Sequence, residues 1–80
     1  FAEEIILVER AGESDLLDAM NHIVNHYPTI KLSSLPQFQA TAAGGRLIEL
    51  SIRGDPAAVP MAMIDMKQRI HSLGFDFRVK

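Results

Sequence analysis

There is no cysteine in the 80 residues. That excludes a disulfide framework, a thiolate metal site and a cysteine nucleophile together. No apolar run approaches the roughly 18 residues of a membrane-spanning helix, so nothing in the sequence reads as a span. An excess of basic charge is also missing: 8 Lys+Arg stand against 10 Asp+Glu, a formal net charge of −2 and a pI near 5.8. A non-specific nucleic-acid binder carries the opposite bias. Neither an initiator Met nor a signal-peptide pattern precedes Phe1, and the expectation is a piece of a longer, cytoplasmic chain.

What is present is ordinary globular material, 48% hydrophobic and 22% charged, enough for one small domain over residues 1–80. Without a covalent cross-link, most long apolar side chains must enter a single core. The hydrophobic pattern is therefore a guide to architecture. Glu4–Arg10 holds four consecutive apolar residues between charges and reads as a strand inside a sheet. Ala11-Gly12-Glu13 breaks it, and Glu13 or Ser14 opens a helix with Asp15 near its positive end. Leu16, Leu17, Met20, Ile23, Val24 and Tyr27 then mark one apolar face until Pro28 stops the helix.

Ile30 and Leu32 alternate with Lys31 and Ser33 in a second strand, which Leu35-Pro36 closes. Residues 37–45 lack periodicity and read as a flexible loop or one arm of a hairpin. Ile48, Leu50 and Ile52 alternate with polar residues in a third strand. Asp55-Pro56 supplies a cap and a first helical position, and Val59, Met63, Met66, Ile70 and Leu73 continue as a second helical stripe. Pro60 fits poorly, so either the regular helix starts near it or the first turn is irregular. Gly74 suits a C-terminal cap, and Phe75, Phe77 and Val79 alternate in a last strand. The order strand, helix, strand, strand, helix, strand predicts the α+β, ferredoxin-like split βαβ fold, with a four-stranded antiparallel sheet and both helices on one face.

Three stretches together resemble a known family: Gly12-Glu13-Ser14-Asp15-Leu16, Tyr27-Pro28 through Gln37-Phe38, and Ile48-Glu49-Leu50-Ser51-Ile52-Arg53-Gly54-Asp55-Pro56-Ala57-Ala58-Val59. They are similar to the small KH-like domain that follows the molybdopterin-binding-type domain in CinA proteins and FAD-synthase-like chains. The similarity spans residues 5–73. It implies a non-catalytic accessory domain beside a nucleotide-handling domain, adding packing, dimerisation or a wall next to that domain's active site. The same residues also serve as helix stop, strand end and turn, which are fold-making roles.

Site candidates are few. Asp18, His22 and His26 follow one another at four-residue steps on the first helix, a spacing that offers three metal ligands. A solvated polar helix face explains them more simply, and the reading assigns no metal and no cofactor. Ser33, Ser34 and Ser51 lack a nucleophile elbow, and nothing ties His71 to them. Gly44-Gly45 lacks the following Lys of a phosphate loop. An RNA module would need a Gly-x-x-Gly clamp or base-stacking strand aromatics, so nucleic acid is not an expected partner.

A regulatory ligand-binding domain of the ACT type has the same element order and a glycine in its first strand–helix turn, as Arg10-Ala11-Gly12 has here. The apolar first strand must also show one set of side chains, Ile5 and Leu7 or Ile6 and Val8, on the helix-free face. With Leu35 and Leu47 these form a docking surface. The expected partner is a neighbouring domain of the parent chain or another copy of this one.

Overall fold

The structure is a computed structural model that describes residues 1–37 and 47–79. Its elements run β1 (Ala2–Glu9), α1 (Glu13–His26), β2 (Ile30–Gln37), β3 (Leu47–Gly54), α2 (Ala58–Ser72) and β4 (Asp76–Val79). The four strands form one sheet in the order β2-β3-β1-β4, and every neighbouring pair is antiparallel. This is the split βαβ architecture that the element order predicts. The loop expected over 37–45 falls, from Phe38 onward, outside the described residues.

Register decides which side chains share a face. Ile6 stands opposite Leu50 and Val8 opposite Ile48, while Leu32 stands opposite Ile52. All of these but the half-buried Leu32 are fully buried, and Leu32 packs against the same core. They meet Leu16, Met20 and Ile23 of α1 and Val59, Met63, Met66 and Ile70 of α2. α1 lies over β2, whereas α2 touches β1, β3 and β4. Ile5 and Leu7 therefore belong to the helix-free face, which settles the alternative left open by the sequence.

Helix ends follow local chemistry. Gly12 caps α1 without a side chain, and the Asp15 carboxylate accepts its backbone N–H at 2.8 Å, which is half of a capping box. The irregular first turn of α2 has a plain cause. Val59 N–H donates to the Asp55 carbonyl at 3.0 Å and Ala57 N–H to Asp55 Oδ1 at 3.2 Å, but Pro60 has no N–H to add the next bond, so regular helix begins at Ala58. At the other end Gly74 N–H donates to His71 O and Phe75 N–H to Ile70 O. With Gly74 at φ +87° this is a Schellman motif.

Three expectations are corrected. Leu35-Pro36 does not end β2, which continues to Gln37, because an edge strand tolerates a proline whose missing N–H faces away from its neighbour. Leu17 and Val24 are 50% and 44% exposed, and Leu73 is 51% exposed. α1 covers only the sheet margin, so its buried arc is narrower than its apolar stripe, and Leu73 is already the residue closing α2.

Two glycines separate steric from conformational need. Gly54 sits at φ +140°, and a Cβ there would stand 2.5 Å from the Thr29 carbonyl oxygen. Gly74 is also left-handed, but a Cβ would meet nothing within 4 Å. Gly54→Ala should therefore lower unfolding free energy by about 2–4 kcal/mol, against about 1 kcal/mol for Gly74→Ala. Urea denaturation of the two variants checks this, and equal losses would contradict it.

Candidate functional site

Two surfaces carry more than packing. One is a polar layer between the helices. Asp65 lies on the inner side of α2 with its side chain 24% exposed, and three groups converge on it. Arg69, one turn on, donates from Nε to Asp65 Oδ1 at 3.0 Å. The Tyr27 hydroxyl donates to Asp65 Oδ2 at 3.2 Å, and His22 Nε2 lies 3.7 Å from the same oxygen. Arg69 Nη2 also meets His22 Nε2. A guanidinium only donates, so Nε2 accepts and the neutral ring carries its proton on Nδ1.

Burial holds the His22 imidazole below its ordinary value of 6.5; the Arg69 guanidinium and then His26 add to this, and Asp65 alone opposes it. Burial raises the Tyr27 phenol above 10.0, and the charge and acceptor oxygen of Asp65 raise it further. Both shifts favour the neutral groups that the hydrogen bonds require.

The sequence candidates are redistributed by this arrangement. His22 faces α2 and not solvent, because its position on the helix cylinder lies toward Asp65 and Arg69. His26 stacks on His22 with ring centroids 3.8 Å apart and directs Nδ1 at the His22 carbonyl oxygen, 3.0 Å away. Asp18 lines an open groove of about 450 Å³ with Asp15, Asp65 and Ser72. Among the described residues, no group of three His, Asp or Glu side chains is placed to hold a metal ion, so Asp18, His22 and His26 do not assemble as a ligand triad. The sequence signal for the actual cluster was faint: Tyr27 on the apolar stripe, with an Asp65–Arg69 pair at i, i+4.

The second surface is the helix-free sheet face. Register places Lys31, Ser33 and Leu35 of β2, Leu47, Glu49, Ser51 and Arg53 of β3, and Glu3, Ile5, Leu7 and Glu9 of β1 on it. The four apolar residues expected to share this surface do share it. Their exposure differs, however. Leu35 on the edge strand is 56% exposed and Ile5 and Leu7 are half-buried, but Leu47, on an interior strand flanked on both sides, is only 8% exposed. Leu47 therefore offers little contact area, which corrects its expected part in docking. Polar groups on this face are tied locally: Ser51 Oγ donates to Glu3 at 3.2 Å, and Arg78 lies 3.6 Å from Glu9.

No family model matches the chain, and no curated protein does either. Nothing in these comparisons therefore supports the CinA, KH-like or molybdopterin resemblance. Solved structures match the fold. The designed protein Foldit4 is similar with a TM-score of 0.69 at 11% identity, covering 99% of this chain and 94% of that one. The designed protein Ferredog-Diesel gives 0.54 at 11%, covering 99% and 84%. A formyltetrahydrofolate deformylase from Pseudomonas putida KT2440 gives 0.57 at 10% identity; the match covers 99% of this chain and 28% of that enzyme. At such identities the likeness is one of fold, the ferredoxin-like class. No described helix is long and apolar enough to cross a membrane.

The lowered His22 value has a testable sign. A depressed imidazole stabilises the fold above pH 6.5, and that contribution is lost as pH falls through 6.5 toward the folded value. Ring NMR should place the His22 midpoint below 6.5, and Arg69→Met should raise it. A wild-type midpoint at or above 6.5 would contradict the arrangement.

Proposed function

We propose that this chain is a non-catalytic accessory and interaction domain, whose helix-free sheet face packs against a neighbouring domain or another copy of itself. The observation that supports this most is Leu35, 56% exposed on a face that no described helix covers and that it shares, across Glu49 and Ser51 of β3, with half-buried Ile5 and Leu7. Tyr27, His22, Asp65 and Arg69, the polar side chains that converge, are spent on joining α1 to α2. In the finer form of this reading, resting on residues 12–16, 27–38 and 48–59, the parent protein is CinA-like and its nucleotide-handling domain precedes this one.

A second reading has its own support. The ferredoxin-like fold also occurs over 28% of the length of the formyltetrahydrofolate deformylase, so it can stand as one unit of a larger enzyme. The first strand–helix turn here holds Gly12, the residue that an ACT-type regulatory domain, which takes a small molecule such as an amino acid, carries there.

Radical footprinting separates the two. In the docking reading, Leu35 and Leu7 are labelled in the dilute 80-residue chain and protected either at high concentration, by another copy, or in a longer chain, by its neighbouring domain. Equal labelling under all three conditions sinks it. In the regulatory reading, a saturating amino acid near 100 Kd adds about 2.7 kcal/mol of stability and raises Tm, and no shift with any amino acid removes that alternative.

A further inference from the structure

We infer that Lys31 of β2 and Arg53 of β3, at one end of the helix-free face, form a binding site for a phosphate group, either the free ion or a small phosphate ester. Register brings the two side chains together. Asp55 N–H donates to the Thr29 carbonyl at 3.3 Å, and the pairing continues through Ile30 and Gly54 to Lys31 and Arg53. Hydrogen-bonded pairs alternate along the ladder, so Lys31 and Arg53 are such a pair, with Cβ atoms about 5.5 Å apart on one face. Like charges directly opposite repel, so this placement costs stability and gives the fold nothing in return. The other described cations have partners. Arg10, Arg69 and Arg78 meet Asp76, Asp65 and Glu9, and Lys67 lies over the Phe77 ring. Among the described residues, Lys31 and Arg53 alone of the Lys and Arg side chains lack such a contact.

Two carboxylates lie close by, and both are engaged elsewhere. Glu3 stands opposite Arg53 on β1, but its Oε2 accepts the Ser51 hydroxyl at 3.2 Å. Asp55 turns Oδ1 to the Ala57 N–H at 3.2 Å. Two cations with one facing carboxylate keep a local positive surplus, in a chain whose net charge is −2. Beside them is an open hollow of about 340 Å³, lined by Phe1, Thr29, Lys31, Arg53 and Gly54. Thr29 is exposed and adds a hydroxyl to the lining. An ammonium, a guanidinium fork and a hydroxyl around one hollow suit an anion whose acceptor oxygens point in several directions. Tetrahedral phosphate has that shape, whereas a planar carboxylate leaves one of the three donors unmet.

The site does not require the docking proposed above, since Leu35 and Leu7 lie two rows further along the ladder. Inorganic phosphate titrated into the 80-residue chain at low ionic strength, and followed by amide NMR, should give saturating shifts at Thr29, Lys31, Arg53 and Gly54. Lys31→Gln and Arg53→Gln should each weaken binding by about threefold or more, as for exposed charge pairs, and together abolish saturation, with circular dichroism unchanged. Glu3→Gln, which removes the facing negative charge, should tighten binding. Leu35→Ala should leave it unchanged, so the site and the docking reading fail separately. Glycerol phosphate binding more tightly than inorganic phosphate would identify an ester as the ligand, and weaker binding the free ion. Shifts no larger than sodium chloride produces at equal ionic strength, or shifts spread equally over Arg10, Lys67 and Arg78, overturn the inference. Acetate saturating the same residues as tightly as phosphate overturns it too.

Discussion

The period-two alternation of the central strands, locked in register, is the constraint on which the rest of the molecule depends. Ile48, Leu50 and Ile52 on β3 all point to the helices, opposite Val8, Ile6 and Glu4. A slip of one residue would turn the whole buried set to the other face. Gly54 protects this register at one end, because only a residue without Cβ lets β3 pass the Thr29 carbonyl. Once the inward set is fixed, the outward set is fixed too. Among the described residues no further layer covers that outward set, which is why the docking role we propose falls to it.

The polar layer between α1 and α2 serves that same end. Asp65 draws Tyr27 and Arg69 to its carboxylate with His22 close by, which sets the rotation of α1 about its own axis. That rotation buries Leu16, Ala19, Met20 and Ile23 and leaves Leu17 and Val24 beyond the margin of the sheet. With Asp65, Arg69, His22 and Tyr27 engaged in holding one helix against the other, the spare apolar area on the helix-free face is what supports the proposed role in association.

Element type and order were legible because both periods are strong in this sequence. The alternation around Ile48–Ile52 reads as a strand with one buried face, and Gly74 marked the end of α2 for reasons that the hydrogen bonds repeat; Asp55-Pro56 lay just outside its start, since α2 begins at Ala58 with Ala57 at the N-cap. What one dimension did not carry was the direction of each helix face. Apolar spacing alone placed Leu17 and Val24 in the core, but α1 sits over the edge strand and buries a narrower arc. His22 read as solvated because the partners that occupy it, Asp65 and Arg69, lie more than forty residues away. Pro36 read as a stop because a proline ends most strands; an outward-facing position on an edge strand is the exception.

Contact at the helix-free face, in the form we propose between two copies, is read by amide NMR spectra recorded across a wide range of protein concentration. Concentration-dependent shifts are expected at Ile5, Leu7 and Leu35, with Asp18, Asp65 and Ser72 of the interhelical groove unmoved. Spectra that do not change with concentration, or change only around the groove, would contradict it.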